Sequence, residues 1–352
     1  MKTLLISLAF LIINSSLPAQ ETDVVKTLIS EGIALHDKGD YAGAIKKYNA
    51  ALDIDKSSFH ALYEKSYTLF AMNDFKECAK ISKELIKKYG DHPEAVLVYI
   101  QYGSALDESG KTKDAIEAYE EGIARFPNEY LLYFNKGLTE MKANKTEDAI
   151  KSYETAVQLK PLHSSSNYYM GALLQKVNKV PAVMAYMTFL AIEPQTKRSK
   201  DAYDRVVGIL DANVKREGNN VTLFLDPSMF DRNKKKNDEN DFSSIEMLFS
   251  LLSATDNTKG IDSIAKTPAD KLSLKLQMLI NSLSEQKKDG KGFYWEHYVP
   301  FFVEMKDKNH VNTLAYLMLK HSNDDSIMEW LEKNEKDVTA FYDWIKIYKW
   351  GR

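Results

Sequence analysis

The chain has 352 residues, and its 44% hydrophobic and 28% charged content is that of an ordinary globular protein rather than a disordered one. Its 47 basic and 50 acidic side chains give a formal net charge of −3, which leaves no net field to draw the chain onto nucleic acid or an anionic membrane surface. The single cysteine, Cys78, excludes an intramolecular disulfide bond and a zinc cluster made of several thiolates. With only nine Pro and fifteen Gly, the composition favours an all-α fold.

Residues 1–19 have the pattern of an export signal. Lys2 supplies a positive charge, an apolar run extends from Leu4 to Ile13, and small or turn-forming residues lead to Ala19. The run is too short to cross a hydrocarbon core, which takes roughly 20 apolar residues. We therefore predict cleavage after Ala19 and a mature chain with no integral membrane span, exported to the periplasm, with secretion as the alternative.

Small residues recur with one period over the first half of the chain. Two columns share the successive offsets of 34, 37, 34 and 34 residues. Small side chains at such positions let two helix backbones approach closely, so the columns predict a series of helix pairs. A third column should form the turn inside each pair, where a left-handed conformation is needed. The three columns are Gly32, Ser66, Gly103, Gly137 and Gly171; Ala44, Cys78, Ala115, Ala149 and Val183; and Gly39, Asn73, Gly110, Asn144 and Asn178.

The fifth unit departs from the pattern of the others. Its second helix carries Pro181 early, and Val183 and Met187 stand where the other units have a small residue and an aromatic one. Two interpretations are open: the register slips by one residue, or the unit is a cap against which the second half of the chain packs. The second unit also departs, with Cys78 and Ser82 at the same two positions.

With these columns the chain resembles the tetratricopeptide repeat family over about residues 23–195. Close matches to the family's 34-residue unit are KGDYAGAIKKYNAALDIDKSS in the first unit and GKTKDAIEAYEEGIARFPNEY in the third. The resemblance implies an α-solenoid of about five helix pairs with a concave groove, in which the first helices bind a protein or peptide partner. By the family's pattern the groove would be lined by Ile29, Ile33, Tyr63, Tyr67, Ile100, Ser104, Phe134, Leu138, Tyr168 and Ala172.

The residue types at these positions indicate the kind of partner. Family members that clamp a terminal carboxylate use Lys, Arg and Asn at the inner positions, and such donors are mostly missing here. We therefore expect the groove to hold an apolar helix or extended segment by its side chains. The alternative is that the C-terminal part of this same chain fills the groove.

The repeat columns end before residue 200. A helix from Asp201 to Leu210 should extend or cap the array, which we place at residues 23–216. Residues 217–241 are rich in Gly, Asn and mixed charges and should form a linker, in which Val221 to Leu225 could be a strand or an extended strip on the array.

Residues 242–352 are predicted to be a separate helical domain. Its first helix should begin with a capping box of Ser243 and Glu246. The second should begin at Thr267, Pro268 and Asp270. Later helices are expected at about residues 310–321, 324–334 and 336–350. All four Trp lie in this domain and should form its core; the alternative is an exposed aromatic platform for a glycan or a peptide.

The sequence carries none of the signatures of zinc proteases, serine hydrolases, P-loop proteins or dinucleotide-binding folds. One local cluster of ionisable side chains, Glu296, His297, Glu304 and His310, is interrupted by Pro300, and we predict solvated or core-edge side chains there rather than a metal or acid–base site. The prediction is a non-enzymatic scaffold or adaptor without cofactor or metal. The alternatives are a glycan-binding or enzymatic C-terminal domain with the repeats as its docking arm, and a structural subunit of an envelope assembly.

Overall fold

The computed structural model describes residues 22–211, 214–217, 220–223, 239–246 and 265–351. The chain divides into two compact units, and the division falls between Lys111 and Thr112. We call them the N-terminal unit and the C-terminal unit. The predicted export signal at residues 1–19 and most of the predicted linker at 217–241 lie outside the described residues.

Five helices form the N-terminal unit, and each packs on the next along the chain. Four of them begin at a polar residue whose side chain accepts a hydrogen bond from a backbone N–H of the first turn, which explains where they start. These N-cap residues are Thr22, Asp40, Ser58 and Asp74. The helices are α1 (Asp23–Asp37), α2 (Tyr41–Ile54), α3 (Phe59–Ala71), α4 (Phe75–Tyr89) and α5 (Ala95–Glu108).

The C-terminal unit begins with six more helices of the array. They are α6 (Thr112–Arg125), α7 (Tyr130–Lys142), α8 (Thr146–Leu159), α9 (Ser164–Leu174), α10 (Lys179–Ile192) and α11 (Lys197–Asp211). A two-stranded antiparallel hairpin follows, in which β1 (Val214–Glu217) pairs with β2 (Asn220–Leu223). The predicted strand therefore exists, and its partner β1 was not predicted.

Five further helices of the C-terminal unit lie within the described residues 265–351. The capping box of Thr267 and Asp270 starts the first of them as predicted. The last one ends three residues earlier than predicted, so that Tyr348 and Trp350 lie in an extended tail. The helices are α12 (Pro268–Gln286), α13 (Phe293–Asp307), α14 (Val311–Leu319), α15 (Asp325–Lys333) and α16 (Glu335–Ile347), and a 3-10 turn (Lys320–Ser322) follows α14.

The turns inside the helix pairs confirm four of the five predicted left-handed positions. Gly39, Asn73, Gly110 and Asn144 have φ values of 81°, 62°, 77° and 58°. The prediction for Asn178 is wrong, because its φ is −151° and it is the N-cap residue of α10. Lys179 starts α10 eight residues after Gly171, whereas Thr146 starts α8 nine residues after Gly137. The second helix of the fifth unit therefore begins one residue early, and the position that is left-handed elsewhere already caps it.

The early start of α10 shifts the register of the fifth unit. A Cβ on Gly171 would lie 3.1 Å from the ring of Tyr186, whereas the Gly137 position meets Tyr153, sixteen residues further along. Tyr186 therefore takes the aromatic position that the sequence pattern assigns to Met187, and Ala182 takes the small position assigned to Val183. The interpretation that the register slips by one residue is correct.

Helix α10 is buried on all sides, from Val180 to Ala191. An apolar helix without a polar face needs cover all round, and α10 receives it from α9 and α11 of the array and from α13 and α14. One hydrophobic core is formed by buried residues whose positions in the sequence range from Ala149 to Ile345. The predicted boundary before residue 242 therefore does not separate two cores: the fifth unit and the C-terminal helices share one.

The predicted fold class is confirmed, since the described chain is a series of helix pairs followed by further helices. The hairpin β1–β2 is an addition to the all-α prediction. None of the helices in the described part of the chain is both long enough and apolar enough to cross a membrane.

Candidate partner-binding surface

In the first, fourth and fifth helix pairs the glycine of the repeat lies where the two helices meet. Gly32, Gly103, Gly137, Gly171, Ala44, Ala115 and Ala149 are all buried. In the first unit a Cβ on Gly32 would come within 2.4 Å of the ring of Tyr48, and in the fourth a Cβ on Gly137 would come within 2.9 Å of Tyr153. Only a residue without a side chain permits these contacts. In these two pairs the glycine side of the first helix therefore packs on the second helix.

On α1, α3 and α5 the structure separates the predicted lining residues into two groups. Ile29 is 6% exposed and belongs to the core of the first helix pair, so it does not line a surface. Ile33, Tyr63, Tyr67 and Ile100 are half-buried. We call the surface that these four residues share the first-helix face of the N-terminal unit.

Stacked rings make up most of the α3 part of this face. The ring centroid of Tyr63 lies 6.4 Å from those of both Phe59 and Tyr67, and the planes are nearly parallel, at 4° and 18°. His36 of α1 continues the stack of rings, with its ring centroid 5.1 Å from that of Tyr67. We call Phe59, Tyr63, Tyr67 and His36 the aromatic ladder. Phe59 is 5% exposed and is the core end of the ladder, so only the other three rings lie at the surface. Sequence reasoning missed Phe59 and His36, although the spacing of four residues between 59, 63 and 67 already placed three rings on one helix face.

Polar groups around the aromatic ladder are few and mostly paired. Nδ1 of His36 lies 2.8 Å from the hydroxyl of Thr68, and burial lowers the pKa of His36. Nε2 of His60 lies 3.1 Å from a carboxylate oxygen of Glu94. Burial also raises the pKa of Glu64 to about 7, an effect that His60 partly offsets. The face is thus mainly aromatic, with one histidine–glutamate pair and one carboxyl group that titrates near neutral pH.

In the C-terminal unit the predicted lining residues are Phe134, Leu138 and Tyr168, all half-buried. The ring of Phe134 contacts His163 at 4.8 Å and Tyr169 at 6.2 Å, both on or next to α9. Burial and the nearby Arg198 lower the pKa of His163 to about 4. These rings are therefore packed by neighbouring repeats, and a neutral imidazole lies between them.

Tyr168 is covered by α11. Its hydroxyl donates to Oδ2 of Asp201 at 2.7 Å, and the guanidinium of Arg198 lies 5.4 Å from its ring centroid. Burial and the Asp201 carboxylate raise the pKa of Tyr168 to about 12. Helix α11 therefore continues the series of packed helices beyond α10 and covers the ring of Tyr168.

The four Trp side chains are packed against other rings. The indoles of Trp295 and Trp344 are 4% and 6% exposed. The prediction of core residues is confirmed for these two, and Trp330 and Trp350 also pack against the same core. The centroid distances are 4.3 Å for Trp295 on Phe242, 3.9 Å for Trp330 on Tyr316, and 5.0 and 4.4 Å for Trp344 and Trp350 on Phe301.

The ionisable cluster on α13 is dispersed in the structure. His297 is buried between the rings of Phe293 and Trp350, and burial lowers its pKa to about 4. Glu296 is exposed, and Glu304 accepts a hydrogen bond from the indole N–H of Trp344 at 2.9 Å. Within the residues that the structure describes, no group of three or more His, Cys, Asp or Glu side chains is arranged to hold a metal ion.

Helix pairs packed through Gly–Tyr contacts, with stacked rings on a first helix, define a helical-repeat protein. A family model described as a TPR repeat matches residues 32–73, and one described as a tetratricopeptide repeat matches residues 100–164. These segments are tetratricopeptide repeats. Such repeats generally form non-enzymatic scaffolds for protein interaction.

Solved structures of low identity resemble about half of the chain. MamA (residues 41 to the end) from Desulfovibrio magneticus RS-1 is 18% identical, with a TM-score of 0.42 over 52% of this chain and 99% of that one. A thermophilic TPR protein of Thermus thermophilus is 16% identical, with a TM-score of 0.42 over 52% of this chain and 97% of that one. PilF of Pseudomonas aeruginosa is 20% identical, with a TM-score of 0.44 over 53% of this chain and 88% of that one. A comparison with curated proteins gave no significant match.

Proposed function

We propose that this chain is an exported scaffold or adaptor that holds a protein or peptide partner on the first-helix face of its tetratricopeptide repeats. The aromatic ladder is the observation that carries the proposal. Tyr63 and Tyr67 are half-buried, and their stacking contacts hold them in place before any partner arrives. Rigid aromatic side chains provide a large contact area at a small cost in conformational entropy, which suits a binding surface.

The charges around the aromatic ladder support an apolar partner segment rather than a chain terminus. A terminal carboxylate needs several cationic donors, and His36 has a lowered pKa that keeps it neutral at physiological pH. His60 is already paired with Glu94. We propose that an amphipathic helix or an extended segment binds by placing apolar side chains against Ile33, Tyr67 and Ile100.

The C-terminal helices have another role in this proposal. Helices α13 and α14 pack on α10, and α14 also contacts α11. The ring contacts of Phe134 are made with α8, α9 and the residue that precedes α9. This arrangement supports an array whose end is closed by the C-terminal helices, and it disfavours the alternative in which those helices serve as the ligand.

Selection of peptides from a random library on the full chain tests the binding surface. Selected peptides should be enriched in apolar side chains, and their affinity should fall by about tenfold or more in the variant Ile33→Lys/Tyr67→Lys. The control is Ala42→Lys/Ala124→Lys, which adds the same charge at exposed positions of α2 and α6. Equal binding by both variants, each still folded by circular dichroism, would refute the proposed surface.

Export is tested separately by cell fractionation and N-terminal sequencing. The proposal rests on the sequence pattern of residues 1–19, and the mature protein should begin near Gln20 in the periplasmic fraction. An intact Lys2–Leu4 segment on protein from the cytoplasmic fraction would contradict export and leave the binding proposal untouched.

A further inference from the structure

The outward face of α4 carries a straight row of lysines. Lys76, Lys80, Lys83 and Lys87 are all exposed and are spaced by four, three and four residues. At about 100° per residue these spacings place the four side chains within roughly 60° of one another around the helix axis. The row is about 16 Å long, from a rise of about 1.5 Å per residue. We call these four residues the lysine row.

The lysine row lies opposite the buried side of its helix. Cys78, Ile81, Ser82 and Leu85 form the buried side, which packs between α3 and α5. Glu77 and Glu84 lie to one side of the row, and Glu77 pairs with Lys80 at 3.1 Å while the Lys80 side chain remains 63% exposed. The apolar side is therefore already used by the fold, and only the cationic side is open to another molecule.

The repeat itself does not require lysine at these positions. The corresponding residues of α2 are Ala42, Lys46, Asn49 and Asp53, and those of α6 are Lys113, Glu117, Glu120 and Ala124. Both sets are mixed in charge, although their helices form equivalent parts of the repeat. A uniform row on α4 is thus a property of this helix rather than of the fold.

Other lysines lie near the end of α4 but outside the lysine row, and Lys88 is about 80° away from the nearest member of the row around the helix axis. The hydroxyl of Tyr89 donates to the carbonyl of Ser57 at 2.6 Å. The exposed Lys56 is the residue before Ser57 in the sequence. Lys88 lies over the ring of Tyr89, 5.0 Å from its centroid. The formal net charge of −3 for the whole chain conceals this local concentration of positive charge.

We propose that the lysine row docks the N-terminal unit on an anionic lipid bilayer surface by electrostatic attraction. Lysine is a hydrated point charge with little geometric preference, which suits mobile lipid headgroups, whereas specific recognition of a carboxylate favours the planar fork of arginine. The large exposed apolar side chains in the described part of this unit are Val24, Ile54 and Met72, and none of them is on α4. Electrostatic attraction is therefore the source of the membrane affinity. Each lysine of a polybasic segment near an anionic surface adds to this affinity.

Vesicle co-sedimentation of the full chain tests the proposal. Binding should be stronger to vesicles of phosphatidylcholine with about 30% phosphatidylglycerol than to phosphatidylcholine alone, and the difference should shrink between about 50 mM and about 300 mM salt. The neutral vesicles account for any apolar contribution of residues 1–19. In Lys76→Gln/Lys80→Gln/Lys83→Gln/Lys87→Gln the affinity for anionic vesicles should fall by about tenfold or more.

A matched variant controls for net charge. Lys113→Gln/Lys151→Gln/Lys200→Gln/Lys333→Gln removes four exposed helical lysines elsewhere and should retain most of the vesicle binding. Circular dichroism shows whether both variants are folded. Equal losses in the two variants, or equal binding of the natural chain to neutral and anionic vesicles, would overturn the proposal. So would binding of a glutamate-rich peptide through the lysine row without vesicle binding, which would assign the row to an acidic protein. None of these outcomes bears on the first-helix face.

Discussion

The hydroxyl of Tyr298 donates a hydrogen bond of 2.6 Å to Oδ1 of Asn167, and this bond joins α13 to the first turn of α9. Both residues are buried. The amide nitrogen of Asn167 donates in turn to the carbonyls of Pro161 and His163. The side chain therefore ties the turn before the fifth repeat to the C-terminal helices, which explains how that repeat and those helices form one core.

Removal of the Tyr298 hydroxyl should destabilise the C-terminal unit. Tyr298→Phe leaves the Asn167 carbonyl oxygen buried without a donor, which costs about 1 to 3 kcal/mol in the free energy of unfolding. Urea denaturation followed by tryptophan fluorescence measures the change, because all four Trp lie in this unit. Tyr342→Phe is the control, since the Tyr342 hydroxyl has no hydrogen-bond partner among the described residues. Equal stability of the two variants would show that the hydrogen bond contributes nothing.

The Gly137–Tyr153 contact gives a test of the repeat register. Gly137→Leu introduces a side chain whose Cβ would lie only 2.9 Å from the ring of Tyr153, so the helices must separate at a cost of about 1 to 3 kcal/mol or more. Lys151→Leu adds an apolar residue to the exposed side of α8 and should change the free energy of unfolding little. Thermal denaturation of both variants measures the difference, and similar melting temperatures would mean that the assigned helix faces are wrong.

The sequence predicted the packing of the repeats well because small residues at a tight contact recur with a fixed period. Gly137 and Ala149 could be assigned to a helix contact from their spacing alone. The role of Asn178 could not be predicted, because the type of residue at a turn does not reveal that the next helix starts one residue early. Asn178 instead donates its side-chain N–H to the carbonyl of Asn240, a contact between positions that are distant in the sequence.

Long-range contacts also explain the errors in the second half. Glu246 was predicted to form a capping box with Ser243, but its carboxylate accepts from the backbone N–H of Lys179 at the start of α10. Local patterns identified the helices, and only the fold shows which of them share a core. Of the residues predicted to line the binding surface, Tyr63 and Tyr67 are half-buried and Ile29 belongs to the core, and their role in binding stays a prediction.

Acidification should weaken the C-terminal unit through His297. Burial lowers the pKa of His297 to about 4 from an ordinary value of 6.5, so the unfolded chain binds a proton before the folded one does. The stability that the neutral His297 allows is complete above pH 6.5. As the pH falls toward 4, the free energy of unfolding should decrease by about 2 to 3 kcal/mol at most. His297→Phe keeps a ring between Phe293 and Trp350 and should lose less stability over this pH range.

The free energy of unfolding of both proteins, measured by urea denaturation between pH 4 and pH 7, tests this prediction. His163, with a pKa of about 4, titrates in the same direction and remains in both proteins, so the difference between them isolates His297. Parallel pH profiles for the natural chain and His297→Phe would refute the assignment.

Glu64 should have the opposite effect in the N-terminal unit. Burial raises its pKa to about 7 from 4.5, so the folded chain holds a proton that the unfolded chain has released. Stability from this group is complete below pH 4.5 and is lost as the pH rises through 7. Glu64→Gln imitates the protonated carboxyl group and should be more stable than the natural chain at pH 8 by about 1 to 3 kcal/mol, with little difference at pH 4.

Amide hydrogen exchange of α3 at pH 8 and at pH 5.5 measures this effect within the N-terminal unit. Glu84→Gln, at an exposed position of α4, is the control and should behave like the natural chain at both values. Because Glu64 lies on the same helix as Tyr63 and Tyr67, its ionisation above pH 7 should also loosen the aromatic ladder. Peptides selected on the first-helix face should then bind the natural chain more weakly at pH 8 than at pH 6, and Glu64→Gln equally well at both. A pH-independent affinity in the natural chain would show that Glu64 and the ladder are not coupled.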